Sequence, residues 1–369
     1  MRTLRGLQDA PSLICRALDG GENDTTRQRI LDVSRTSNIQ LLSHLSAETP
    51  KPRKIIQYSY KCVINKMNLG TAMNVFLAMQ SLRLKLLDNR AKTYGPLILS
   101  GSPTVAELLA CVGYSHIVVD MEHSPSDLET VTSVLRAIDA TSRGKNPVDN
   151  FPIVRVPSHN DVAMTKRILD VLRTPGGIMF PMIENAEQAK AAVASTRYPP
   201  HYENGIRGCA YPFVRASQYG KNTQYFDNDS NQDLLTIVQV ESEEAIENIS
   251  EIGMVEGVDV IFLGPFDISC SINEVGNFEN DGNVMKLLKH AEHLVRETSA
   301  KKKIEIGTEL ILGGFKSPGR DLQEMFSDEV GYRFVCGSVD LGLLQNAAAA
   351  DFEAGENAMS CNEVKNTSE

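Results

Sequence analysis

The sequence predicts an α/β fold, a (β/α)8 TIM barrel preceded by a poorly ordered N-terminal extension, and three observations predict it. Short β-branched runs alternate with amphipathic helical windows. Eight such units fit into roughly 260 residues, the count and size of that barrel, whereas a doubly wound sheet rarely needs eight repeats. Several of the runs end on a charged side chain, as at Asp120, Arg155 and Glu241. A buried strand has no reason to end that way unless its end meets water or a ligand. In a parallel barrel the strand C-termini converge on one mouth, where catalytic groups collect.

The units follow in order. Pro96 to Ser100 is the first strand candidate, followed by a short helix over Thr104 to Ala110 with Ser102 or Thr104 as its cap. The second strand, His116 to Asp120, precedes a helix capped by Ser126 and running through Ile138, with Leu128, Val131, Val134, Leu135 and Ile138 as its apolar stripe. The third strand ends at Val156 and the next helix spans Asp161 to about Leu172. Gly177 to Pro181 is the fourth strand, backed by a helix from Asn185 to Thr196. A long aperiodic segment from Arg197 to Asn231 precedes the fifth strand, which ends at Glu241, and Ser242-Glu243-Glu244 opens a helix with acids in its first turn. The sixth strand ends near Gly264, and residues 283–299 form an amphipathic helix. Ile304 to Thr308 reads as the seventh strand, Arg320 to Phe326 as a helix, Phe334 to Gly337 as the eighth strand, and a last helix starts at Val339.

This places the barrel over residues 71–351, after an extension of residues 1–70 and before a flexible tail of residues 352–369. A hydrophobic content of 42% suffices for a large core. A net charge of −10 argues against nucleic acid as a partner while leaving room for a small anionic substrate, since a local arginine and a metal ion reverse the field inside one cleft. The seven dispersed cysteines read as reduced thiols, not as a disulfide frame or a zinc site. No run reaches the roughly 20 apolar residues of a membrane span, so no membrane partner is expected. The expected compartment is the cytoplasm. Asp9, Asp19, Glu22 and Asp24 count against a mitochondrial presequence.

Glu241 and Asp267 sit just past two successive strands, and two carboxylates brought together there repel unless a cation lies between them. Their oxygens suit Mg²⁺ or Mn²⁺, with helix capping as the plain alternative. Gly264-Pro265 makes a tight turn able to aim backbone N–H groups at an anion. Arg155, inside an apolar strand, needs an anionic partner: a substrate carboxylate, or Asp120 and Glu122. His123 suits proton shuttling, and Asp120, three residues earlier, is placed to orient its ring. Gln239 shares a strand face with Glu241 and can bond substrate oxygen or serve as a satisfied interior amide. Arg207, in Gly205-Ile206-Arg207-Gly208, binds an anion or is simply solvated. Gly313-Gly314-Phe315 is too short for a phosphate loop. No strand end carries a lysine for imine chemistry, Lys301 to Lys303 reading as a solvated run.

At these residues the chain resembles the HpcH/HpaI aldolase/citrate lyase family, the metal-dependent class II pyruvate aldolases that act on 4-hydroxy-2-oxo-heptanedioate and 2-keto-3-deoxy sugar acids. The resemblance covers about residues 75–350 and rests on Asp120-Met121-Glu122-His123-Ser124-Pro125, Val154-Arg155-Val156-Pro157, Lys166 to Asp170, Arg197-Tyr198-Pro199-Pro200 with Gly205 to Gly208, Gln239-Val240-Glu241-Ser242, Phe262 to Ser269, and Gly337 to Leu344. It implies that Glu241 and Asp267 ligate Mg²⁺ or Mn²⁺, with Co²⁺ behind them. It also implies that Arg155 and Gln239 contact pyruvate, that the backbone over Gly264, Pro265, Phe266 and Asp267 receives the carboxylate, and that His123 with Asp120 forms the acid–base pair. The implied activity is cleavage of a 4-hydroxy-2-oxo acid to pyruvate, or a close 2-oxo acid, and an aldehyde through a metal-stabilised enolate. The implied assembly is a homo-oligomer, typically a hexamer with exchanged C-terminal helices. The sequence departs from the family pattern at Arg173 to Gly177, at His201 to Asn204, where the aldehyde is expected, and over the first 70 residues. A CoA-ester lyase of the citrate-lyase type and a non-catalytic binding barrel are the competing readings.

Overall fold

The computed structural model describes residues 82–88, 91–141, 150–173, 175–199, 204–226 and 230–366. The expectations for residues 1–70 and for His201 to Glu203 lie outside them.

Eight parallel strands close into a barrel in chain order: β1 Thr93–Ile98, β2 His116–Asp120, β3 Phe151–Arg155, β4 Gly176–Phe180, β5 Leu234–Val240, β6 Val260–Leu263, β7 Ile311–Phe315 and β8 Tyr332–Val339. Strand alternation explains why these runs are apolar throughout. Leu97, Val118, Ile153, Met179, Leu235, Ile237, Val260, Phe262, Ile311 and Phe334 fill the barrel. Their neighbours Ile98, Val119, Val154, Ile178, Val238, Ile261 and Leu312 point outward into the layer of helices. A helix over Leu82–Asp88 adds Leu82 and Leu86 to the interior cluster. Its Arg83 Nε donates to Asp259 Oδ2 at 2.8 Å, just ahead of β6 and therefore at the floor where strands begin.

Most expected elements stand within two or three residues of their expected ends. Ser102, Asp161 and Asn185 each accept a backbone N–H from the first turn of their helices. The helix after β2 is capped differently. Asp127 Oδ1, not Ser126, accepts from Thr130 N at 2.8 Å, and the helix runs Leu128–Thr141.

The seventh strand is a correction. Ile304 and Ile306 do not form it, because the preceding helix continues over Asn283–Glu305 and turns off at Gly307 with φ 85°. The strand is Ile311–Phe315, whose two central glycines disguise it. A Cβ on Gly313 would lie 2.9 Å from Val260 Cγ1 and 3.0 Å from the Phe334 carbonyl, and one on Gly314 would lie 2.9 Å from Tyr332 Cε1. Bulky side chains on β6 and β8 leave β7 no room for its own. The shift puts Lys316 directly after a strand, against the expectation that no strand end carries a lysine.

Two further expectations change. Lys302 is not solvated; it is buried, and its Nζ donates to the carbonyls of Gly253, Val255 and Val258 at 2.7, 3.0 and 2.7 Å. Residues 352–366 continue the last helix, Asp340–Asn366. No helix among the described residues is long and apolar enough to cross a membrane.

Candidate active site

At the C-terminal mouth β2 ends on Asp120 and β3 on Arg155, which are direct partners in the parallel register. Asp120 is fully buried. Its carboxylate takes Arg155 Nε and Nη2 at 2.7 Å each, the fork-to-fork geometry of a strong pair. It also accepts the backbone N–H groups of Glu122 and His123 at 3.0 and 3.2 Å. Thus Asp120 shapes the turn that carries His123 but does not touch its ring, so the expected Asp120–His123 side-chain pair is not formed. The ring lies instead with Nε2 3.7 Å from Glu122 Oε2, and Arg155 Nη1 reaches the same Oε2 at 3.0 Å. Burial pushes the Glu122 carboxyl above its usual range, against the pull of Arg155 and His123. Arg155 therefore meets both acids named as its structural alternative.

From β5, Gln239 and Glu241 face the same side, both buried. Gln239 Nε2 donates to Glu241 Oε1 at 2.7 Å, and its own Oε1 has no hydrogen-bond partner among the described residues. The second Glu241 oxygen accepts from Met182 N at 2.9 Å. Met182 adopts φ 53°, a left-handed conformation that a non-glycine residue reaches at a cost, just beyond the end of β4. Even with two donors, burial first and the charge of Asp267 second push Glu241 up to about 8.

After β6, Gly264 passes so close to Glu241 that a Cβ there would lie 2.6 Å from Glu241 Oε1. Only glycine fits that approach. Its own N–H is spent on Val240 O at 3.3 Å, so it does not point at an anion. Pro265 and Phe266 begin a helix, Pro265–Ser271, whose first turn holds the exposed Asp267. The N–H groups of Phe266 and Asp267 have no partner four residues back, which leaves them to a ligand or water.

The donor set fits a divalent cation. Glu241 and Asp267 follow successive strands at one mouth, and burial first and the charge of Asp267 second raise the Glu241 carboxyl to about 8. No group of three His, Cys, Asp or Glu among the described residues is arranged to hold an ion unaided.

Sequence reasoning missed Glu122 as the neighbour of the His123 ring, Met182 as a donor to Glu241, and Asp340. Asp340 accepts Leu99 N at 2.9 Å and Ser100 N at 3.2 Å, fastening the end of β1 to the last helix. Asp340 closes β8 and was legible on the same ground as the other strand-end acids. The Met182 turn leaves no side-chain signal.

Arg207 does not lie in solvent, and the anion it meets is the carboxylate of Asp170, with Nη2 3.4 Å from Oδ1. It is buried, with Nη2 donating to Leu169 O at 2.9 Å and Tyr225 Oη at 2.7 Å, and its guanidinium stacks 4.6 Å from the Tyr198 ring. Its partner helix, Val162–Val171, ends where β4 begins. Residues 204–226 therefore pack at the floor, opposite the mouth.

A closed parallel barrel with buried ionisable groups gathered at the strand C-termini is the architecture of a barrel enzyme. The chain belongs to the HpcH/HpaI aldolase/citrate lyase family, which it matches over residues 95–347, and is with it a carbon–carbon lyase of the aldolase kind. It is 35% identical over 245 residues to 4-hydroxy-2-oxo-heptane-1,7-dioate aldolase of Shigella boydii serotype 18, covering 66% of this chain and 83% of that one. A crystal structure of a family protein from Burkholderia cenocepacia J2315 superposes with TM-score 0.64 at 31% identity, over 74% of this chain and 98% of the other. An aldolase of the family from Desulfitobacterium hafniense DCB-2, at 22% identity and TM-score 0.60 over 74% and 96% of the two chains, shares the fold.

Proposed function

We propose that the protein is a divalent-metal-dependent aldolase that cleaves a 4-hydroxy-2-oxo acid to an aldehyde and pyruvate or a close 2-oxo acid. The observation that carries the reading is the pair Glu241 and Asp267, one buried and pushed up to about 8 and the other in the first turn after β6. Glu241 and Asp267 would hold Mg²⁺ or Mn²⁺, with Co²⁺ behind them, and such an ion would supply Lewis-acid polarisation of a 2-oxo group. The similarity to relatives named as 4-hydroxy-2-oxo-heptane-1,7-dioate aldolases supports a substrate of that class.

The residues of the chain divide the rest of the work. Arg155, fixed by Asp120 and Glu122, presents its remaining N–H edge to the mouth and offsets negative charge growing on the 2-oxo oxygen. Gln239 holds Glu241 in place through its amide and offers its unpartnered oxygen to a hydroxyl or water. The free N–H groups of Phe266 and Asp267 receive the substrate carboxylate. His123, with its side chain 59% exposed at the mouth, takes the proton of the 4-hydroxyl as the C3–C4 bond breaks. The bonding pair passes to C3, which is then protonated to give the methyl group of pyruvate.

Small molecules are the proposed partners, together with further copies of this chain. The last helix supports the second, for it leaves Leu344, Phe352 and Met359 each more than 60% exposed. A cytoplasmic location goes with this reading. A lactate dehydrogenase-coupled assay on 4-hydroxy-2-oxo acids, with Mg²⁺, Mn²⁺ or EDTA, tests it. Pyruvate release that needs the cation is the expected result, and metal-independent cleavage overturns it.

A further inference from the structure

We infer that Glu122, and not Asp120, is the carboxylate that positions the His123 imidazole, and that it ties the ring to Arg155. This rests on the aldolase reading above and deepens it. The two acids of the Asp120-Met121-Glu122-His123 string divide their labour by geometry. Asp120 has no capacity left: both its oxygens are taken by the Arg155 fork and by the N–H groups of Glu122 and His123. Its side chain is fully buried, and it meets His123 through the backbone alone. Glu122 Oε2 is the opposite case. It sits between Arg155 Nη1 at 3.0 Å and His123 Nε2 at 3.7 Å, buried, and neither contact completes a hydrogen bond.

A small rotation of the exposed ring brings Nε2 to bonding distance from that oxygen. The Nε2–H then donates to Glu122, which fixes the tautomer and leaves the Nδ1 lone pair toward the mouth to accept the substrate proton. With neutral imidazole, Asp120, Glu122 and Arg155 sum to one negative charge; when the ring takes a proton the four groups sum to zero. Glu122 does not touch the reacting atoms in this scheme. It is a positioning residue for the ring, while Arg155 keeps its place through the Asp120 fork whether or not Glu122 is present.

The test is a double-mutant cycle on the full-length, metal-loaded protein, read as kcat and KM for release of pyruvate and as exchange of the pyruvate methyl protons with D2O. Glu122→Gln lowers kcat by about 30-fold with KM changed less than about threefold, since general acid–base help is worth about 10²–10⁴ and the ring itself remains. In a His123→Asn background the same substitution costs less than about twofold, because the group it positions is gone. Asp120→Asn acts through Arg155: it raises KM and costs the same in both backgrounds. Glu122→Asp, which keeps the charge but shortens the reach, regains part of kcat when formate is added, and Glu122→Gln does not. Full additivity of Glu122→Gln and His123→Asn, or coupling of His123 to Asp120 in place of Glu122, overturns the inference. If Asp120→Asn does not fold, the Glu122–His123 coupling alone decides. A wild-type protein without metal-dependent turnover or exchange overturns the aldolase reading, and an active wild type without the coupling overturns this inference alone.

Discussion

At the mouth, Asp120, Glu122 and Glu241 crowd around Arg155, and Glu241 is driven up to about 8 by burial and by Asp267. At the floor the ionisable groups are as deeply buried, yet each is settled. Lys302 gives its three protons to three carbonyls, Arg83 meets Asp259, and His116 is held neutral, stacked 4.0 Å from Phe334. The strands join both ends, so the contrast lies in which side chains sit at their termini. A charge left unrelieved in a folded protein is a cost carried for a ligand, whereas a relieved one supports the fold. Substitutions at the two ends should therefore move activity and stability in different combinations.

The largest effect is expected where the two roles meet. Arg155→Met strips Asp120 of its fork and leaves a fully buried carboxylate unpaired, which costs about 3–5 kcal/mol of unfolding free energy in urea melts, along with the activity. Retention of wild-type stability would show that Asp120 protonates cheaply and that the mouth is less charged than drawn here. Glu241→Gln separates activity from stability. Activity falls by more than about 100-fold, since even outer-shell partners of a metal are worth 10–100-fold. The metal-free variant at pH 8 is nevertheless more stable than the wild type by about 2 kcal/mol. The sign follows from the raised folded-state pKa: the proton on Glu241 favours folding below the unfolded value of 4.5, and that support is lost as pH climbs through about 8. By the same reasoning, Mg²⁺ or Mn²⁺ should raise the wild-type Tm more at pH 8.5 than at pH 6. A shift independent of pH would remove Glu241 from the ligand set.

The parts of this contrast that were legible in the sequence are those written in side chains. Asp120, Arg155, Gln239, Glu241 and Asp267 stand out because a polar group interrupts an apolar run, and the barrel follows from the spacing of those runs. What stayed hidden was written in backbone or in glycine. β7 escaped because Gly313 and Gly314 carry no strand propensity, although their lack of Cβ is what lets Phe334 and Tyr332 pack beside them. The Met182 N–H that holds Glu241 is a backbone device. Lys302, and the solvated alternative for Arg207, fail for another reason: a long cationic chain flanked by polar residues looks solvated until the fold supplies its carbonyls and rings.

His116 probes the floor. Burial lowers its pKa from 6.5 to about 3, so the folded state holds it neutral while the unfolded chain protonates it. The folded pKa is depressed, so stability is whole above 6.5 and drains as pH falls toward 3, by about 2 kcal/mol between pH 7 and pH 5 at 1.36 kcal/mol per unit. His116→Asn should flatten that part of the stability–pH curve without altering metal affinity. An unchanged acid limb would place the loss in the mouth carboxylates, blurring the contrast between the two ends.

The smallest effect expected is at Lys302, and it sharpens the contrast most cleanly because nothing at the mouth touches it. The ammonium closes the end of the helix over Ile249–Met254 and the turn into β6, the strand that carries Gly264 and Asp267. Lys302→Met keeps the aliphatic stem and removes the three bonds, leaving carbonyls that water can partly reach; a net cost of about 1 kcal/mol at pH 7 follows. The three bonds offset burial only in part, so the lysine is lowered to about 8 from its ordinary 10.5 and wild-type stability rises further as pH climbs from about 8 toward 10.5. The methionine variant lacks that rise. Its kcat and metal affinity should match those of the wild type, because a relieved charge at the floor supports the strand without reaching the carboxylates at its far end. A loss of metal affinity in Lys302→Met would mean that β6 transmits the floor to the mouth, and the two ends would then have to be treated as one.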